Sequence, residues 1–253
     1  MAIDRPATAP QRKDAEVREQ ALGRSRRVAF AIDFYRSAVG KKYVMAITGV
    51  IMMAFVLAHM VGNLKLYMGA EEMNHYGEFL RVILYPLIPR QAALWIMRLG
   101  LIVALALHVH ATYSLTMMNR RSRPTKYQSD RDYIAATFAA RSMRWTGIIV
   151  LLFIIFHLLD LTFGPTNPDF QAGLPYENTI ASFQRPLVAL FYILANLALG
   201  VHLYHGAWSL FQSLGLNRRR FNAWRRYFAT AFAAIIVAGN VSFPLAVMTG
   251  VLS

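Results

Sequence analysis

The sequence predicts an all-α integral membrane protein: five transmembrane helices in a bundle, N-terminus cytoplasmic and C-terminus outside. Three observations carry this. Of the 253 residues, 56% are apolar and only 16% charged, a balance found in membrane chains rather than soluble domains. Runs long enough to cross hydrocarbon, with almost no charge, recur at 43–64, 99–119, 145–168, 186–217 and 227–253, each about twenty residues or longer. Of the 27 Lys and Arg residues, ten lie in 1–42, seven in 119–144 and five in 213–226. Five spans that start inside put all three basic blocks on the cytoplasmic face, as the positive-inside rule requires. The net charge of +14 is then a topology signal, and no nucleic-acid partner is expected.

Two regions follow, a cytoplasmic N-terminal segment over 1–40 and a membrane domain over 41–253. The segment holds Pro6, Pro10 and mixed charges without an apolar core, which excludes a cleavable signal peptide. Residues 13–38 are expected to form a surface helix with Val28, Phe30, Phe34 and Tyr35 toward the membrane or a partner. Between the first two spans, Lys65 to Arg90 has room for a short helix ahead of Pro86 and Pro89. The loop from Gly164 to Arg185, with Pro165, Pro168, Gly173 and Pro175, reads as irregular. Neither an internal repeat nor a glycine-rich phosphate loop is evident.

The chemistry lies in the histidines. Cysteine is absent, which excludes disulfides, cysteine-held clusters and thiolate zinc, so a metal would have to be held by His or carboxylate. Six of the seven histidines fall within spans: His59 in the first, His108 and His110 in the second, His157 in the third, His202 and His205 in the fourth. One intramembrane histidine is often a packing hydrogen bond, but four spans each offering one point to a function.

Helical rise sorts them by depth. His59 lies roughly 25 Å beyond Lys42 and His157 roughly 20 Å beyond Arg144, both toward the outer face. His110 is about 15 Å from Arg120, with His202 and His205 roughly 24 and 20 Å from Arg218. Two levels result, each with histidines from two spans, and paired imidazoles suit the two axial positions of a haem that only passes electrons. Gly49, Gly100 and Gly147 precede His59, His110 and His157 by ten residues each. That places a small residue about 15 Å from each histidine, near the other level, and it favours His110 over His108.

At this point a family resemblance enters. His59-Met60, His110-Ala111 followed by Tyr113, Phe156-His157 and His202-Leu203-Tyr204-His205-Gly206-Ala207-Trp208 resemble the five-helix, di-haem cytochrome b membrane anchor of the succinate dehydrogenase and fumarate reductase family. The resemblance implies a multi-pass protein of the cell inner (plasma) membrane that carries two b haems and has no catalytic residue of its own. It implies His59 with His157 for the distal haem, and His110 with a fourth-span histidine for the proximal one. That last ligand is taken as His202, four residues before Gly206 and with Trp208 beyond. His205 is left to contact a propionate or quinone.

A flavoprotein and an iron–sulfur subunit on the cytoplasmic face would supply the electrons, and a quinone, menaquinone by the di-haem type, would accept them. Quinone-site candidates are Ser37, Lys41 and Trp224 at the inner face, or Glu71 and Glu78 outside.

One departure stands out. Some relatives carry a glutamate two residues before the fourth-span ligand to move protons, where this chain has Gly200. Asp160, the acid inside the third span, is expected to snorkel to the outer interface, and Arg98 either to snorkel or to pair with a propionate. The competing classes are a di-haem anchor of another quinone-linked dehydrogenase, or a haem-free proton-coupled transporter. The Gly-x-Trp sequence argues against the first, and the lack of paired mid-membrane acids against the second.

Overall fold

The computed structural model describes residues 29–30, 32–122, 138–216, 220 and 222–253. Among these are five helices long and apolar enough to cross a membrane. They are α1 (Ala38–Asn63), α3 (Ala92–Arg121), α4 (Phe138–Leu158), α6 (Pro186–Ser213) and α7 (Asn222–Met248). Two short helices lie between spans, α2 (Ala70–Val82) and α5 (Pro175–Phe183). A 3₁₀ turn over Leu64–Met68 follows α1, and a π-helical turn over Leu159–Phe163 extends α4. Most of the expected surface helix lies outside the described residues, although 32–36 is helical.

The spans reach further than their uncharged runs. Lys41, Lys42, Arg98, Arg144 and Arg225 are all helical, because long basic side chains can keep their heads at an interface while their backbone stays in the helix. Ser37 sets the start of α1: its Oγ accepts from the Gly40 amide at 2.9 Å, the bond of an N-cap. The short helix expected ahead of Pro86 is α2. The loop after Gly164 is not wholly irregular, because Pro175 opens α5. A proline in the first turn lacks only a donor that has no helical partner anyway.

Span α1 packs on α3, α4 on α6, and α6 on α7, while α1 also touches α6 and α7. The fold is thus two helical hairpins with α7 set against α1 and α6. Small residues bring the backbones close: Ala104 and Ala111 on α3, Ala189, Ala195 and Ala207 on α6, Ala229 and Ala233 on α7 are buried, the composition expected where lipid gives helices no hydrophobic reason to associate. At the end where α1 and α4 finish, α2 and α5 lie together. There Leu66, Met73, Ile180, Phe183 and Phe243 form one apolar cluster. The opposite end carries Lys41, Arg120, Arg121, Arg144 and Arg225; the bundle therefore has a basic end and an acid-rich end with Glu71, Glu72, Glu78, Asp160 and Glu177.

Candidate functional site

Histidines from different hairpins meet at two levels. Nearer the acid-rich end, the rings of His59 on α1 and His157 on α4 have centroids 5.9 Å apart and nearly perpendicular planes, at 83°. Phe55 stacks on His59 at 5.3 Å, and Phe153 lies 5.8 Å from His157. Nearer the basic end, His108 on α3 lies close enough to His202 on α6 for the two rings to interact electrostatically. Neither α1 with α4 nor α3 with α6 is among the closely packed helix pairs. Histidines, rather than backbone contact, relate the two hairpins at these points.

Of the two α3 histidines, it is His108 and not the expected His110 that lies toward His202. The ring of His110 is turned away: it stacks on Tyr35 at 5.9 Å, with the Tyr35 hydroxyl 2.5 Å from its Nδ1, and it is exposed. Helix geometry explains the difference. The buried residues of α3 are Ala104, Ala111 and Leu115. At about 100° per residue, His108 falls within roughly 40° of Ala104 on that stripe, and His110 roughly 120° off it. Gly100, unlike Gly49 and Gly147, has no histidine beside it, and a Cβ there would meet nothing within 4 Å.

The glycine pattern has a physical basis in the other two helices. A Cβ on Gly49 would lie 3.7 Å from His108 Cε1, and one on Gly147 would lie 3.3 Å from His202 Cε1. Each glycine thus gives room to the histidine of its hairpin partner. The residue before it does similar work. Thr48 Oγ1 donates to the Val44 carbonyl at 2.7 Å and sits 3.2 Å from His108 Nδ1, while Thr146 Oγ1 is 3.4 Å from His202 Nδ1. The Met45 carbonyl also lies 3.2 Å from His108 Nδ1, and the Met143 backbone lies on the same side of His202.

This exposes a repeat that the sequence reading missed. Met45, Thr48, Gly49, Phe55 and His59 recur at one constant offset as Met143, Thr146, Gly147, Phe153 and His157, and each member makes the same kind of contact in its own hairpin. The intervening positions are filled by interchangeable apolar residues, which hides the pattern.

His202 and His205 are separated by their neighbours. His202 is the one beside His108 and Thr146; His205 lies one turn on, half-buried, and interacts with His202 electrostatically. Trp208, of the Gly-x-Trp sequence, receives the guanidinium of Arg225 at 5.0 Å from its ring, and Arg225 is only 2% exposed. Arg98 stacks over Trp95 at 5.1 Å. Gly200 could not carry a larger residue: an added Cβ would come within 2.4 Å of Val237 Cγ2 on α7. Lys41, expected near a quinone, is buried, with Nζ donating to the Tyr35 carbonyl at 3.1 Å.

Asp160 does not snorkel. It is fully buried, and it receives Arg185 Nη2 at 2.6 Å, the Tyr192 hydroxyl at 3.0 Å and the hydroxyl of Ser182. Its ion-pair partner stands at the threshold of α6, across the whole loop from Gly164. Among the described residues, no cluster of three or more metal-ligating His or acid side chains occurs.

No curated protein and no solved structure matches the chain. Residues 118–241, which hold α4, α6, most of α7 and the paired His157 and His202, match the family model described as the succinate dehydrogenase/fumarate reductase transmembrane subunit. Over that stretch, just under half of its length, the chain is similar to this family, and its five long apolar helices are those of a multi-pass membrane protein.

Proposed function

We propose that the chain is the membrane anchor cytochrome b subunit of a succinate:quinone oxidoreductase, passing electrons from an iron–sulfur subunit through two b haems to membrane quinone. The observation that carries this reading is the cross-hairpin approach of His59 and His157, with His108 and His202 within electrostatic range of each other at a second depth. Imidazoles that share one metal on opposite sides, with bonds of roughly 2 Å, have ring centres about 6 Å apart. The 5.9 Å between His59 and His157 fits that requirement. Room between helices that do not pack closely on one another suits a flat macrocycle.

In this reading His59 and His157 hold one haem, and His108 and His202 the other. A haem with two imidazole ligands takes up and gives back one electron with both faces closed. The chain's own residues do the rest. Thr48, Met45 and Thr146 engage Nδ1 of the inner histidines, which leaves the other ring nitrogen for the metal and fixes the ring's direction. The glycines keep the rings' edges clear.

The basic end is placed in the cytoplasm, where the flavoprotein and iron–sulfur subunits dock, and the acid-rich end outside. Menaquinone is the acceptor this reading carries, and His205 and His110 stand outside the ligand set. A reduced-minus-oxidised spectrum of the full chain purified from its native membrane is the test. Two b haems per chain, with a flavin subunit and an iron–sulfur subunit co-purifying, are expected; a chain without b-type absorbance overturns the proposal.

A further inference from the structure

The four paired histidines differ in what stands behind them. His108 Nδ1 faces a backbone carbonyl and a threonine hydroxyl, and His202 Nδ1 has the same kind of neighbours. These are neutral acceptors. His59 carries the Phe55 ring and has the Asn63 amide 3.5 Å from its Nε2, again without charge. Behind His157 the arrangement is ionic. The Tyr192 hydroxyl lies 3.4 Å from His157 Nδ1 and 3.0 Å from Asp160 Oδ2.

A phenol has one proton to give and an oxygen that can accept. The carboxylate is both the nearer and the stronger acceptor, so the proton goes to Asp160 and the phenolic oxygen is left to accept Nδ1–H of His157. The order of donation is therefore His157 to Tyr192 to Asp160. Asp160 is held in turn by Arg185 at 2.6 Å, by the Ser182 hydroxyl and by Thr166 Oγ1 at 3.4 Å. The carboxylate sits on the π-helical turn at the end of α4, a widened turn often found at functional positions. Both Tyr192 and Asp160 are buried, so this chain is shielded from water and its charge acts at close range.

We propose that Tyr192 and Asp160 are positioning residues that fix His157 as its Nδ1–H tautomer and strengthen it as an electron donor, so that the His59–His157 centre differs electronically from the His108–His202 centre. This rests on the haem reading above. Loss of a partner behind a metal-bound histidine typically weakens metal retention about 10–100-fold. It also weakens donation to the metal, which favours the reduced state.

The test uses the complex extracted with its native haems, titrated potentiometrically by absorption, with ferric haem spectra recorded by electron paramagnetic resonance. Tyr192→Phe removes the bridge and leaves Asp160, Arg185 and Ser182 in place; Asp160→Asn keeps the shape and removes the charge. In both variants the midpoint potential of one haem is expected to rise and its ferric spectrum to change, while the other haem keeps both. If Asp160→Asn does not assemble, Tyr192→Phe decides alone. Two unmoved potentials in Tyr192→Phe overturn the inference, as does an equal disturbance of both haems, which a merely structural role would give. A wild-type chain without b haem overturns the functional reading beneath it instead.

Discussion

Replacing His108 and His110 separately by alanine tests the assignment most sharply, because the two stand two residues apart on one helix. His108 is held between hairpin partners: Thr48 Oγ1 and the Met45 carbonyl are each 3.2 Å from its Nδ1, and His202 is its neighbour across the bundle. His110 has an exposed ring and one hydrogen-bonding partner, Tyr35 at 2.5 Å. Losing a single hydrogen bond of that kind costs about 1 kcal/mol, within the range a bundle of this size tolerates. In the proposed reading, losing His108 would remove one of the two imidazoles that hold one haem and would leave the His59–His157 level untouched. Absorbance at the b-type maximum, per chain quantified by amino-acid analysis, is therefore expected to fall by about half in His108→Ala, with one of two bis-imidazole sites lost. It is expected to stay at the wild-type value in His110→Ala. A halved spectrum in His110→Ala with a full one in His108→Ala would refute the geometric argument.

Two further outcomes concern packing and charge. Gly200→Ala forces a Cβ to 2.4 Å from the stiff, β-branched Val237, whereas Gly239→Ala meets the flexible end of Met60 at 2.5 Å. The first is expected to cost about 1–3 kcal/mol and the second clearly less; helical circular dichroism during heating in detergent checks this, and equal melting points would contradict it. Arg185→Ala leaves Asp160 buried without its cation and is expected to cost about 3 kcal/mol, the low end of the range for breaking a buried pair, since Arg185 keeps 29% of its side chain exposed. Yield and thermal midpoint of the purified chain measure it, and an unchanged midpoint would show the pair to be dispensable.

The five spans were legible because hydrocarbon thickness imposes their length and the basic blocks their order. The two levels of histidine were legible because rise per residue is fixed. The choice between His108 and His110 was not, for a reason particular to membranes. In a soluble helix the wet face is polar and the buried one apolar, so the pattern reports orientation. Helix α3 carries apolar residues on every side, and its inward face is marked by Ala104, Ala111 and Leu115, which differ little from the apolar residues around them. Asp160 was misjudged because its partner Arg185 lies beyond a loop whose prolines suggested disorder of shape. Pro175 instead begins the helix that carries Ser182 to the carboxylate. The hairpin repeat was hidden because five matched residues stand among apolar ones that lipid does not discriminate.

The duplicated hairpin makes the molecule its own reference. Thr48 and Thr146, Gly49 and Gly147, Phe55 and Phe153 occupy twin positions, so a substitution at one of these has a matched substitution in the other half. The twins part company just beyond the histidines. At the position corresponding to Asp160 the first half has Gly62, whose missing side chain makes room for Tyr76; an added Cβ would lie 2.7 Å from that hydroxyl. An aspartate side chain is thus present on one side of a nearly matched frame and absent on the other. A difference between the responses of the two halves can be traced to this outer end, where one half keeps a charge and the other a small gap closed by a ring.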